Sequence, residues 1–203
     1  MTRRPRRLAA RAAVPAAALA FLAMSACAHA DAQHAHAAAA PAAAAAPATT
    51  PARMVHADVI GLDGKTLGMV MLQETPAGVL VSADVRGLPA GEHGFHFHQK
   101  GLCDTATKFD NSGGHFAGGD HQHGYLNATG PHGGDMPNQH VGGDGLLKTQ
   151  ILNTGVTLSP GPKSLFDADG TALVIHAAAD DYSSQPSGNA GGRIACAVIS
   201  TAK

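Results

Sequence analysis

The chain has 203 residues, of which 44% are hydrophobic and 14% charged, with no tryptophan and three cysteines; that length holds one domain of about 100 to 200 residues and something besides. The formal charge is −1. Arg3, Arg4, Arg6, Arg7 and Arg11 all lie within residues 1–26, so the remainder carries about −6, and without a Lys/Arg stripe such a chain excludes nucleic acid as a partner.

Residues 1–26 join these arginines to an apolar run from Ala12 to Ala26. The run is shorter than the roughly 20 residues that cross a bilayer, and the layout is that of a secretory signal. Two processing sites are open. Met24-Ser25-Ala26-Cys27 has the form of a lipoprotein signal, which would leave Cys27 acylated and tethered to a membrane; Ala28-His29-Ala30 fits cleavage after small residues. The first is favoured. Residues 27–53 are nearly all Ala and Pro, cannot bury enough apolar area to offset the entropy of ordering, and read as a disordered tether. His29, His34 and His36 within it are either a weak metal-capturing run or chance histidines.

The folded domain is expected over residues 54–203. Residues 55–60 and 67–72, joined by Leu62-Asp63-Gly64-Lys65, predict a hairpin with an Asp-Gly turn, and residues 78–85, 94–98, 171–176 and 193–200 read as further short strands. No window holds a 3.6-residue apolar period, so the class is all-β. Between His98 and Leu146 lies a long stretch rich in Gly, His and Asp with almost no apolar pattern, and residues 177–192 form a shorter polar loop. A long segment without a core of its own is functional or disordered, and metal ligands can order what hydrophobic burial cannot.

His96 and His98, two apart on a predicted strand, project to one face and make half of a metal site. His176 ends an apolar strand. The long loop adds His115, His121, His123, His132 and Asp135. Three imidazole nitrogens with one carboxylate suit tetrahedral zinc, and four imidazoles suit Cu(II); there are ligands enough for both.

On these residues the chain resembles the copper/zinc superoxide dismutases across positions 54–203. The matching stretches are Gly94-Phe95-His96-Phe97-His98, Gly113-Gly114-His115-Phe116, His132-Gly133-Gly134-Asp135-Met136-Pro137-Asn138, Val174 to Asp181 and Gly188 to Cys196. The resemblance implies a Greek-key β-barrel or sandwich of about eight antiparallel strands, with copper on His96, His98, His115 and His176. It implies zinc on His115, His123, His132 and Asp135, with His123 selected over His121 by spacing and by the following Gly124. It also implies that Asp180 accepts hydrogen bonds from His96 and His123, that Arg193 guides the anionic substrate, superoxide, and that Cys103 pairs with Cys196. The expected reaction is dismutation to oxygen and hydrogen peroxide, in the periplasm, with a homodimer among the assemblies open to the chain. Two departures stand out, Ala117-Gly118-Gly119 after Phe116 and Ala197 after the cysteine. His93, His121 and His140 are left as structural or solvent-facing.

Overall fold

A computed structural model describes residues 53–200. The expected signal, Cys27, the tether and its histidines lie outside the described residues. Eight strands form one antiparallel sheet: β1 (Met54–Gly61), β2 (Thr66–Thr75), β3 (Gly78–Val85), β4 (Gly91–His98), β5 (Asp135–Val141), β6 (Leu147–Asn153), β7 (Thr171–His176) and β8 (Arg193–Ile199). Their order is β5-β4-β7-β8-β1-β2-β3-β6. The two end strands, β5 and β6, lie in contact, which nearly closes the sheet into a barrel. β3 pairs with β6 and β4 with β7, so the chain crosses over twice in Greek-key fashion.

Alternation builds the core. Val55 and Val59 of β1, Val70 and Leu72 of β2 and Val79, Val81, Ala83 and Val85 of β3 are buried inside, and the residues that alternate with them, among them His56, Asp58, Met71, Ser82 and Asp84, are turned outward. The β1–β2 turn places Gly64 at φ 76°, a left-handed conformation that glycine adopts without steric cost.

Two strands escaped the sequence reading. β5 (Asp-Met-Pro-Asn-Gln-His-Val) lies within the stretch expected to be loop, because Asp, Pro and Asn are poor strand formers. It is tolerated at an end of the strand order, where Pro137 removes no shared ladder hydrogen bond. β6 is half polar, and its register with β3 holds it in place from Val79↔Asn153 to Val85↔Leu147.

The second half of the barrel is covered on both faces. On β4, Phe95 and Phe97 enter the core, which forces His96 and His98 outward, yet all four are buried. What covers them is the long loop. A second apolar cluster beneath it joins Phe109, Ala172, Val174 and Cys196. A disulfide links Cys103 to Cys196 with 5.7 Å between their Cα atoms and pins the loop to β8.

Candidate metal centre

β4 fixes His96 and His98 on one face, His176 ends the adjacent β7, and His115 forms a β-bridge with His98. The four offer ring nitrogens all within 4.8 Å of one another. What each second nitrogen does identifies the inward one. His98 Nδ1–H donates to the Gly113 carbonyl (2.9 Å) and His176 Nδ1–H to that of Gly191 (3.3 Å). Their Nε2 atoms therefore face each other, 3.3 Å apart. His96 Nε2–H donates to Asp180 Oδ2 (2.8 Å), and His96 Nδ1 is buried with no partner.

The second group shares His115. Asp135 Oδ1 lies 2.9 Å from His115 Nδ1, 3.1 Å from His123 Nδ1 and 3.5 Å from His132 Nδ1. Asp135 Oδ2 accepts from the backbone N–H groups of Gly124 and His132. His115 Nε2 and His132 Nδ1 are buried without hydrogen-bond partners. His123 Nε2–H donates to Asp180 Oδ1 (3.0 Å), so one carboxylate orients a ring from each group. Asn138 in turn accepts from the Asp180 N–H and donates to its carbonyl, both at 2.8 Å. Gly188, at φ 69°, packs so closely that a side chain there would strike Asp180 and the His123 ring.

Electrostatics separate the two groups. Burial drives His98 far down, and burial with its imidazole neighbours brings His115 to about 4 and His176 to about 3, so these rings present lone pairs at neutral pH. Burial would lower His123 too, but Asp135 and Asp180 outweigh it and push it up to about 9. Burial would raise both carboxyls, yet the imidazoles of His115, His123 and His132 hold Asp135 well below the usual carboxylate range, and His123 and His96 do the same to Asp180. With Nε2–H committed to Asp180, neutral His123 would aim a lone pair at Asp135 Oδ1. A proton relieves that repulsion, and so would a cation.

A cleft of about 400 Å³ opens over the four-histidine group, with His98, His115, His176, Gly192 and Arg193 among its lining. The Arg193 guanidinium donates to the carbonyls of Phe109 (2.6 Å) and Gly113 (2.8 Å) and to Ser112 Oγ (2.7 Å), with Asp110 3.7 Å from Nε. It therefore braces the turn whose Gly113 carbonyl orients His98, a tie that spacing alone does not reveal.

The structure leaves His121 out of both groups, exposed on a groove whose lining also includes His132 and Asp135. His140 pairs with Glu92 at the surface. His93 is 2% exposed and contacts the carbonyls of His176 (2.7 Å) and Pro89 (2.9 Å), which positions the backbone of His176. Sequence reasoning also missed Asn138 and the orienting carbonyls of Gly113 and Gly191; carbonyls carry no residue signature, and the only available signal for Asn138 was its place in the motif after Asp135.

A sequence profile of the family described as copper/zinc superoxide dismutase (SODC) matches residues 66–199. The chain is 49% identical over 146 residues to superoxide dismutase [Cu-Zn] 2 of Aquifex aeolicus, covering 71% of this chain and 85% of that protein. It is 41% identical over 140 residues to superoxide dismutase [Cu-Zn] of Caulobacter vibrioides, covering 68% and 80%. Among solved structures, a SOD-like protein from Bacillus subtilis superposes with a TM-score of 0.68 at 34% identity, over 71% of this chain and 97% of that one.

Proposed function

The chain belongs to the copper/zinc superoxide dismutase family and is an oxidoreductase that acts on superoxide; on that premise we propose that His96, His98, His115 and His176 hold the copper that turns over, and that His115, His123, His132 and Asp135 hold zinc. The observation that carries this reading is His115. Among the described residues it alone belongs to both groups, with Nδ1 against Asp135 and Nε2 buried among the other three rings without a partner. The donor sets fit: four imidazole nitrogens for copper, three nitrogens and one oxygen for zinc.

When bound, copper supplies the Cu(II)/Cu(I) couple by which one superoxide is oxidised to oxygen and a second reduced to hydrogen peroxide, while zinc, with a filled d shell, supplies only charge and shape. Asp180 and the Gly113 and Gly191 carbonyls hold the ring tautomers that aim ligand nitrogens inward. His115 Nε2 is the atom placed to hold a proton and pass it to the reduced product. Arg193, part-buried at the cleft, keeps a permanent positive charge on the route of a small anion in a chain that is otherwise net acidic. Export and a lipid on Cys27 are part of the proposal, supported by the composition of residues 1–27; the mass of the mature protein tests them.

The metal-loaded protein should consume superoxide and yield peroxide at one copper per chain, and no turnover at that loading would sink the assignment. His115→Ala should lose zinc and alter the copper electron paramagnetic resonance spectrum together. An unaltered copper spectrum in that variant would mean that the ligand is not shared.

A further inference from the structure

A third set of metal-ligating side chains lies on the opposite half of the barrel, on the outward face of β1, β2, β3 and β6. Because Val55, Val59, Val70 and Leu72 point into the core, alternation turns Met54 and His56 of β1 and Met69 and Met71 of β2 outward. The register sets His56 directly opposite Met71, which places their Cβ atoms about 4.5–5.5 Å apart, with Met69 on the diagonal at about 7–8 Å. The three border one shallow groove of about 480 Å³, whose floor continues to Ser82 and Asp84. Met54, two residues before His56, is 48% exposed, and Met69 is 47% exposed.

Neither Met69, which is exposed, nor Met71, which is half-buried, belongs to the core, and on a strand whose inward positions are already filled by Val70 and Leu72 they turn their thioether sulfurs to the outer face. The Met side chain has three rotatable bonds and a soft, polarisable sulfur, so two of them can swing onto one ion beside an imidazole. That donor set selects Cu(I) over zinc and over hard cations, which take carboxylate and carbonyl oxygen. The charge distribution agrees, since Asp84 in the groove is met by Lys148 at 3.8 Å and Arg86 at 4.0 Å, which leaves it little pull on a divalent ion.

We propose that His56, Met69 and Met71 form a third metal site, which binds one Cu(I) ion through an imidazole nitrogen and two thioether sulfurs, separately from the two histidine groups. The test uses the full chain, loaded with copper and zinc, kept anaerobic under ascorbate so that all copper is diamagnetic Cu(I). Its methionine methyls are labelled with carbon-13, and Cu(I) buffered by bicinchoninate is added. The Met69 and Met71 methyl resonances should shift on uptake of one further Cu(I) per chain, while that of Met136, 1% exposed inside the barrel, stays still. The double variant Met69→Leu/Met71→Leu should bind one Cu(I) fewer with superoxide dismutation unchanged, and His56→Ala should weaken uptake. Added zinc should leave the Met69 and Met71 methyls in place. The proposal is overturned if these two resonances do not move with Cu(I), if zinc moves them as Cu(I) does, or if the double variant takes up as much Cu(I) as the unsubstituted chain.

Discussion

Asp180→Ala separates the two metal groups experimentally. Asp180 is 4% exposed, and its carboxylate accepts from His96 Nε2–H at 2.8 Å, from His123 Nε2–H at 3.0 Å and from the Tyr182 N–H at 2.6 Å. Removing it strands these buried donors, at about 1–3 kcal/mol each in the metal-free chain. It also frees each ring to move its proton from Nε2 to Nδ1, the nitrogen that would ligate the metal in the proposed assignment. The loss falls unequally. His96 projects from β4, which is paired to β5 on one side and β7 on the other. His123 projects from a loop held there by Gln185, and the remaining hydrogen-bond partner of its ring is Asp135, itself a member of the proposed zinc group. Loss of such an orienting carboxylate typically lowers metal affinity about 10–100-fold, equivalent to about 1.4–2.7 kcal/mol. Zinc affinity should fall by that factor in Asp180→Ala and copper affinity by clearly less. Competition against chromophoric chelators, one metal at a time on initially metal-free protein, measures both. Unchanged zinc affinity, or copper affinity falling as far as zinc, would refute the argument that backbone rigidity decides which ring depends on Asp180.

Arg193→Ala should retain its metals but react about tenfold more slowly, with a weaker dependence on ionic strength, because the local positive charge at the cleft is gone; stopped-flow superoxide decay against salt reads both, and an unchanged rate and salt slope would remove its guiding role. The metal-free protein should be most stable near pH 6.5. His98, His115 and His176 have lowered pKa values, about 4 for His115 and about 3 for His176. Below about pH 6.5 the unfolded chain therefore binds protons that the fold excludes, and stability falls as pH drops toward 4. His123 is raised to about 9, so its contribution is complete below about pH 6.5 and disappears as pH rises through 9. Thermal unfolding of metal-free protein between pH 4 and 9.5 checks this, and a flat profile would contradict both assignments.

The sequence made half of the centre legible for a physical reason. His96 and His98 show because strand alternation converts a spacing of two into a shared face, and Phe95 and Phe97 between and before them declare which face is the core. His176 shows only as the end of an apolar strand, a position that many histidines occupy without a metal. The loop ligands have no such periodicity, and no local rule distinguishes His121 from His123; family spacing does. In the fold the difference is plain, since His123 is buried between two carboxylates and His121 faces solvent. β5 stayed hidden because its residues disfavour strands and its pairing with β4 comes from tertiary context.

The long loop between β4 and β5 poses the remaining question of what holds the 36 residues 99–134, most of them polar or glycine, in one arrangement. Its apolar anchors are few. Phe109 docks against Val174 and Cys196 outside the barrel, Phe116 reaches the main core, and Cys103 is bonded to Cys196. On the chain-entropy account a disulfide closing a loop of 93 residues in separation contributes about 4 to 5 kcal/mol, but it fixes only one point. Between Phe116 and Asp135 the side chains that converge are the imidazoles of His123 and His132, which meet His115 around one carboxylate oxygen. On the proposed assignment a zinc ion bound there would take the place of a hydrophobic core, supplying at one point the attraction that apolar area supplies elsewhere. His115 would then carry both tasks, ordering the loop through Nδ1, which lies against Asp135, and presenting its buried Nε2 to the four-histidine group, so that structure and turnover would share a single ring.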